Sequence, residues 1–285
     1  MPINYDKLMQ MKSPDIEHHY TQRDTMLYAL GLGVGADPMD AQQLKFVYEE
    51  GLQPLPTYPV VLPHGGGMRS SEMGINYTMV VHGEQSLTIH KLPPIEGTVI
   101  SRSRITGVFD KGKDKGALIL SEREVTDKAT GAKIATLGST TFARGDGGFG
   151  GPSGPTPEPH PIPTTAPDVT CDLPTLPQSA LIYRLSGDYN PLHADPKVGT
   201  KAGFPRPILH GLCTYGVAGL AVLKTLCAYD PSRLKAFQVR FSSPVFPGET
   251  IRTEMWKHGN VVSVRAKVLE RNIVVLNNGR AEIVP

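Results

Sequence analysis

A chain of 285 residues is long for one small domain and suits two of ordinary size or one duplicated unit, and its 39% hydrophobic content excludes a disordered polymer. A net charge of +2, with the basic residues dispersed rather than striped, gives no reason to expect a nucleic-acid partner. Three cysteines, Cys171, Cys213 and Cys227, without a Cys-x-x-Cys pair, argue against a disulfide framework and for a reducing compartment such as the cytoplasm.

Residues 1–20 read as polar and irregular, with His18-His19 at the surface or at a helix start and no further metal ligands at fixed spacing nearby. The opening residues show no basic stretch followed by an apolar run, so no secretory signal is expected. The final Ile283-Val284-Pro285 is not a Ser-Lys-Leu type peroxisomal address; a peroxisomal matrix stays open as the alternative to the cytoplasm for a eukaryotic source. Residues 21–32 read as a helix that starts near Thr21 or Asp24 and stops at Gly31 and Gly33. The glycines at 31, 33 and 35 follow a helix rather than a strand, so they do not form a dinucleotide loop. A short apolar run at 44–48 precedes Glu49-Glu50 and a proline-rich connection.

From about residue 75 the apolar period becomes two. Strands are expected at 77–81, 86–90, 98–105, 118–125 and 134–142, as an antiparallel meander with turns at 110–116 and 130–131. Residues 144–177 open on a glycine run and carry nine prolines, the composition of an extended spacer with no core element. No Lys-Ser/Thr follows the glycines, which excludes a phosphate-binding loop.

The second half repeats the order of the first. A short helix ends near Gly187, and a long apolar helix follows at 211–228. Lys224 and the polar residues inside that helix favour a buried core helix over a membrane span. Strands are expected at 236–241, 250–257, 261–269 and 273–276, then a hairpin turn at Asn278-Gly279. Residues 94–100 resemble 246–251, and aligning Tyr28 with Tyr183 sets Gly33 against Asp188 and Pro38 against His193.

The chemistry concentrates in Gly187-Asp188-Tyr189-Asn190-Pro191-Leu192-His193. Asn190-Pro191 bars a helix, so Asp188 and His193 flank a tight turn that can aim both into one cleft. A carboxylate and a neutral imidazole converging on one water form a general acid–base site. Gly211 opens the long helix, where N–H groups lack intrahelical acceptors and can receive a developing oxyanion.

This string, with Tyr183 and Leu185 before it and Ile208-Leu209-His210-Gly211 after it, resembles the signature of the (R)-specific enoyl-CoA hydratase 2 family of MaoC-like dehydratases. The resemblance covers nearly the whole chain. It implies an α+β double hot dog: two antiparallel sheets, each wrapped on a central helix, the second helix long and intact. The expected units are an N-terminal repeat without the dyad over 1–143, a Gly/Pro-rich linker over 144–177 and a catalytic repeat over 178–285. It further implies an acyl-CoA thioester substrate, reversible syn hydration of trans-2-enoyl-CoA to (R)-3-hydroxyacyl-CoA, no metal, no cofactor beyond the substrate's own CoA, and a homodimer.

By the same resemblance, Asp188, His193, Asn190 and Gly211 would be catalytic, and Glu49, His82, Gly83, Lys111, Tyr189 and Phe241 would contact substrate. A half without a dyad would make room for a bulky acyl group. Two alternatives stay open: a hot dog acyl-CoA thioesterase, which attacks the thioester carbonyl, and a non-catalytic acyl-CoA binding module.

Overall fold

The computed structural model describes residues 2–63 and 73–285. The first half contains α1 (Tyr5–Gln10), β1 (Ile16–Tyr20), α2 (Gln22–Gly31), α3 (Ala41–Leu44), β2 (Val80–Ile89), β3 (Gly97–Asp110), β4 (Ala117–Asp127) and β5 (Lys133–Ala143). The second contains β6 (Val169–Pro174), α4 (Ser179–Tyr183), α5 (Pro196–Lys201), α6 (Gly211–Leu226), β7 (Leu234–Phe241), β8 (Thr250–His258), β9 (Val261–Val268) and β10 (Ile273–Ile283).

The strands form one ten-stranded sheet in the order β1-β3-β4-β5-β2-β7-β10-β9-β8-β6. Read outward from the β2–β7 seam, the two halves have the same order. β6 is thus the counterpart of β1, and α4 follows β6 as α2 follows β1. The two expected antiparallel sheets are joined edge to edge into one, where Glu84 pairs with Arg240 and Thr88 with Ala236. Each half would otherwise leave an unpaired edge at the seam, and pairing removes both.

Helix α6 is mostly apolar up to its last turn, and Cys213 through Leu223 are all buried, as expected of a helix enclosed by a sheet. Phe237, Val239, Val264 and Val275 pack in the same core cluster. Alanine, glycine and cysteine positions on α6 allow close approach: a Cβ on Gly219 would fall 2.7 Å from Thr57 Cγ2. Helix α2 is started by a capping box in which Asp24 accepts from the Thr21 backbone N–H at 2.8 Å and from its hydroxyl at 2.7 Å. Among the described residues no helix is long and apolar enough to cross a membrane.

Four expectations need correction. The first twenty residues are not irregular throughout: Tyr5–Gln10 forms α1 and Ile16–Tyr20 the edge strand β1, so His18-His19 is strand rather than helix start. The two strands expected at 77–81 and 86–90 are one strand, β2, preceded by a 3-10 turn at Tyr77–Met79; His82-Gly83 lies inside it at a register shift against β5. The spacer ends earlier than its composition suggests, because Val169–Pro174 pairs with β8 and buries Cys171. An outer strand tolerates Pro174 at its end, since an edge residue need not donate to the ladder. Asn278-Gly279 is a bulge within β10, not a hairpin turn. Asn278 takes φ 53° there and donates its side-chain amide to His160 O at 2.9 Å, which ties the spacer to the sheet.

Candidate active site

The turn after α4 is built by short-range rules. A 3-10 turn, Arg184–Ser186, is closed by Gly187 at φ 113°, a left-handed conformation that glycine adopts without strain. Asp188 Oδ1 then accepts from the Asn190 N–H at 3.2 Å, and Asn190 Oδ1 accepts from the Leu192 N–H at 3.0 Å. Asn190 thereby caps a second 3-10 turn, Pro191–His193, with proline at its first position. Together these caps carry His193 back beside Asp188.

His193 is buried, and its Nδ1 lies 2.9 Å from Ile208 O. A carbonyl oxygen only accepts, so Nδ1 carries the proton and Nε2 keeps its lone pair. Burial lowers the pKa of His193 below the usual histidine value, opposed by the bond to Ile208 and by the Asp188 charge. The imidazole is therefore neutral near pH 7, with one basic nitrogen.

Potential ligand atoms of Asp188, His193 and His210 all lie within 4.8 Å of one another. That spacing suits a single water bonded to both Asp188 and His193. Two imidazoles and a carboxylate are also metal-ligand types. Here, however, the His193 and His210 rings stack with centroids 3.8 Å apart and planes 28° from parallel, so their in-plane lone pairs run side by side instead of converging. One nitrogen of each ring is also already directed at a backbone carbonyl.

Asp188, Asn190, His193 and Gly211 line one cleft of about 1160 Å³. Gly211 is the first residue of α6, where its N–H has no intrahelical acceptor. A Cβ there would stand 3.3 Å from Phe241 Cε1, so the glycine lets that ring close over the helix start. His82 reaches the same cleft from the other half, its ring 4.8 Å from that of Phe241 and its Nε2 3.0 Å from Ser139 Oγ. Burial lowers the His82 pKa to about 4, so this imidazole is neutral too. Gly83 and Lys111 line the cleft as well, and Lys111 donates to Ser153 O at 3.1 Å.

Two expected contacts fall elsewhere. Glu49 sits in an exposed turn and does not line the cleft. Tyr189 turns away from the dyad: it is 58% exposed, stacks under the Arg184 guanidinium at 4.9 Å and faces a second, smaller cavity. Sequence reasoning also missed parts of the wall. Lys115 and Arg144 add positive charge near Lys111, and Thr156, Pro157 and Pro159 of the spacer flank the opening. The Lys-rich turn at 110–116 signalled Lys115 but not Arg144, which follows β5. The spacer's role had no local signal, because it follows from where the chain crosses the sheet.

The chain matches the MFE-2 hydratase 2 N-terminal domain over residues 18–145 and the MaoC-like domain over 157–278. It is 40% identical to a protein of Arabidopsis thaliana named enoyl-CoA hydratase 2, peroxisomal, over 96% of this chain and 94% of that one. Its fold superposes on the crystal structure of a MaoC-like dehydratase from Phytophthora capsici with a TM-score of 0.84 at 37% identity, covering 99% of this chain and 98% of the other. A Mycobacterium tuberculosis protein described as a double hotdog fold shares the architecture at a TM-score of 0.58 and 14% identity, covering 98% of each chain. Fold and site together thus define a MaoC-like double hot dog protein. More narrowly, the chain belongs to the (R)-specific enoyl-CoA hydratase 2 family.

Proposed function

We propose that this chain catalyses reversible syn hydration of trans-2-enoyl-CoA to (R)-3-hydroxyacyl-CoA, with Asp188 and His193 sharing one water. The observation that carries the reading is the pairing of a carboxylate and a bare imidazole nitrogen across a water-sized gap, in a cleft that also holds the N-terminus of α6. The names of the Arabidopsis and Phytophthora relatives support the reaction class.

In this scheme the dyad takes one proton from the water, and the hydroxyl forms a bond to C3. The π-electron pair moves through C2 onto the thioester oxygen, where the Gly211 N–H stabilises the enolate. The enolate collapses as C2 takes a proton from the dyad, which returns to its starting state. Syn addition requires both groups on one side of the acyl chain, so that hydroxyl and proton arrive on the same face; a single cleft lined by both meets that requirement.

Incubation with crotonyl-CoA tests the reading: enoyl absorbance should be lost without free thiol, and the product should be the (R) alcohol. Thiol release with the double bond intact would instead make it a thioesterase, and binding without either change would make it a carrier module.

A further inference from the structure

The mechanism just proposed does not use His210, the imidazole packed directly behind His193. His210 is 1% exposed and lies behind the cleft wall rather than in it. Its Nε2 is 3.1 Å from the backbone carbonyl of Asp188. Its ring stacks on His193 at 3.8 Å and lies 5.1 Å from the Tyr183 ring. Its own carbonyl accepts from the Cys213 and Thr214 N–H groups at 3.0 and 3.1 Å, which makes it the cap of α6, directly before Gly211.

One residue therefore touches all three working parts: the turn carrying Asp188, the ring of His193 and the helix start carrying the Gly211 N–H. The Asp188–His193 turn and the start of α6 lie on separate stretches of chain, and the intervening chain alone would not hold them to the tolerance that proton transfer needs. We propose that His210 is the positioning residue that keeps the Asp188–His193 pair in register with the Gly211 N–H. The inference rests on the hydratase reading for its kinetic consequence, but its geometric content stands apart from it.

The bond to Asp188 O requires a proton on His210 Nε2, as the bond to Ile208 O requires one on His193 Nδ1. The two stacked rings thus carry protons on different nitrogens, a pattern that ¹⁵N imidazole spectra of the intact protein resolve. Two substitutions separate the contacts. His210→Phe keeps a stacking ring and removes the donor; His210→Gln keeps an amide donor and removes the ring.

Both variants should lower kcat for crotonyl-CoA hydration by about 10- to 100-fold, the range for a displaced catalytic group, with KM nearly unchanged. In both, the His193 spectrum should change from one tautomer to a mixture. A folded variant with wild-type kcat, or a kcat loss with the His193 tautomer unaltered, would overturn the proposal. If neither variant folds, the wild-type spectrum decides: a His210 proton confined to Nδ1 refutes it, and one on Nε2 upholds it. If wild-type protein does not hydrate crotonyl-CoA at all, the hydratase reading fails, while the spectra still test the placement of His210.

Discussion

Tyr28 of α2 and Tyr183 of α4 occupy equivalent places in the two halves and meet inside the core, ring centroids 6.0 Å apart and planes tilted by 52°. Gly31, one turn beyond Tyr28, makes the approach possible, since a Cβ there would lie 3.3 Å from Tyr183 Cδ2. The halves share this packing but not their chemistry. After Tyr183 the chain makes the Asp188–His193 turn, whereas after Tyr28 the equivalent positions are Gly33 and Pro38. The first half supplies a wall instead, with His82 and Lys111 facing the second half's dyad across the cleft.

The dyad should behave as a unit. Asp188→Asn and His193→Gln are each expected to slow hydration by about 10²- to 10⁴-fold, the usual contribution of general acid–base catalysis. Affinity for a saturated acyl-CoA, measured by calorimetry, should change little, because neither substitution alters the shape of the cleft.

The titration of His193 has a definite sign. Burial disfavours the imidazolium, so its midpoint lies below the ordinary histidine value of about 6.5. In the proposed scheme hydration needs the neutral ring, so the acid limb of kcat/KM should fall below that pH. The negative charge of Asp188 pulls the other way, raising the midpoint. Asp188→Asn should accordingly lower the His193 midpoint further in an NMR titration, and a rise would contradict the arrangement.

The most local features were the easiest to read. The Gly187–His193 string is shaped by its own caps and proline, and α6 by a long, mostly apolar stretch, so both were legible without tertiary information. The edge strands β1 and β6 were not. Ile-Glu-His-His-Tyr holds few apolar residues, and Val-Thr-Cys-Asp-Leu-Pro alternates but lies within a proline-rich stretch that reads as spacer; both are short edge strands that pair on one side only. The β2–β7 seam joins residues about 150 apart, beyond any periodicity. Asn278-Gly279 has the composition of a tight turn, yet the pairing of β10 with β7 and β9 on both sides makes it a bulge. Tyr189 sits between Asp188 and Asn190 in sequence, but its ring packs under Arg184 and faces the second cavity, a direction set by tertiary packing and not by the string itself.

Packing around α6 yields a stability prediction. In a helix interior alanine is favoured over glycine by about 1 kcal/mol. At Gly216, however, a Cβ would stand 2.6 Å from Leu32 Cδ2 and 3.1 Å from the Tyr28 hydroxyl, and both neighbours are buried. Overpacking of this kind costs about 1–3 kcal/mol, so Gly216→Ala should be net destabilising by roughly 1 kcal/mol and lower the melting temperature by several degrees. An unchanged or higher melting temperature would mean that α2 can retreat from α6.

Asp110 links the spacer to the cleft. Its carboxylate accepts from the N–H groups of Gly112, Gly148 and Gly150 at 2.8, 2.7 and 2.8 Å, folding the glycine run around it. Only glycine fits at 147, where a Cβ would lie 2.0 Å from Gly112 O. From this anchor the chain continues to Thr156, Pro157 and Pro159 at the cleft wall. The three N–H donors, Gly148 foremost, hold the Asp110 carboxyl below the usual aspartate pKa. A lowered folded pKa means that the ionised form is stabilised by folding. Its contribution is present above the ordinary aspartate value and is lost as pH falls through the lowered one. The Gly148 and Gly150 amides should therefore stay protected from hydrogen exchange through mild acid and lose protection only below the ordinary aspartate range. Asp110→Asn replaces one acceptor oxygen with a donor and removes the charge. These amides should then exchange faster at neutral pH with no acid transition, and KM for acyl-CoA should rise severalfold while kcat holds. Equal exchange in wild type and variant would show that the glycine run is held by its backbone contacts alone.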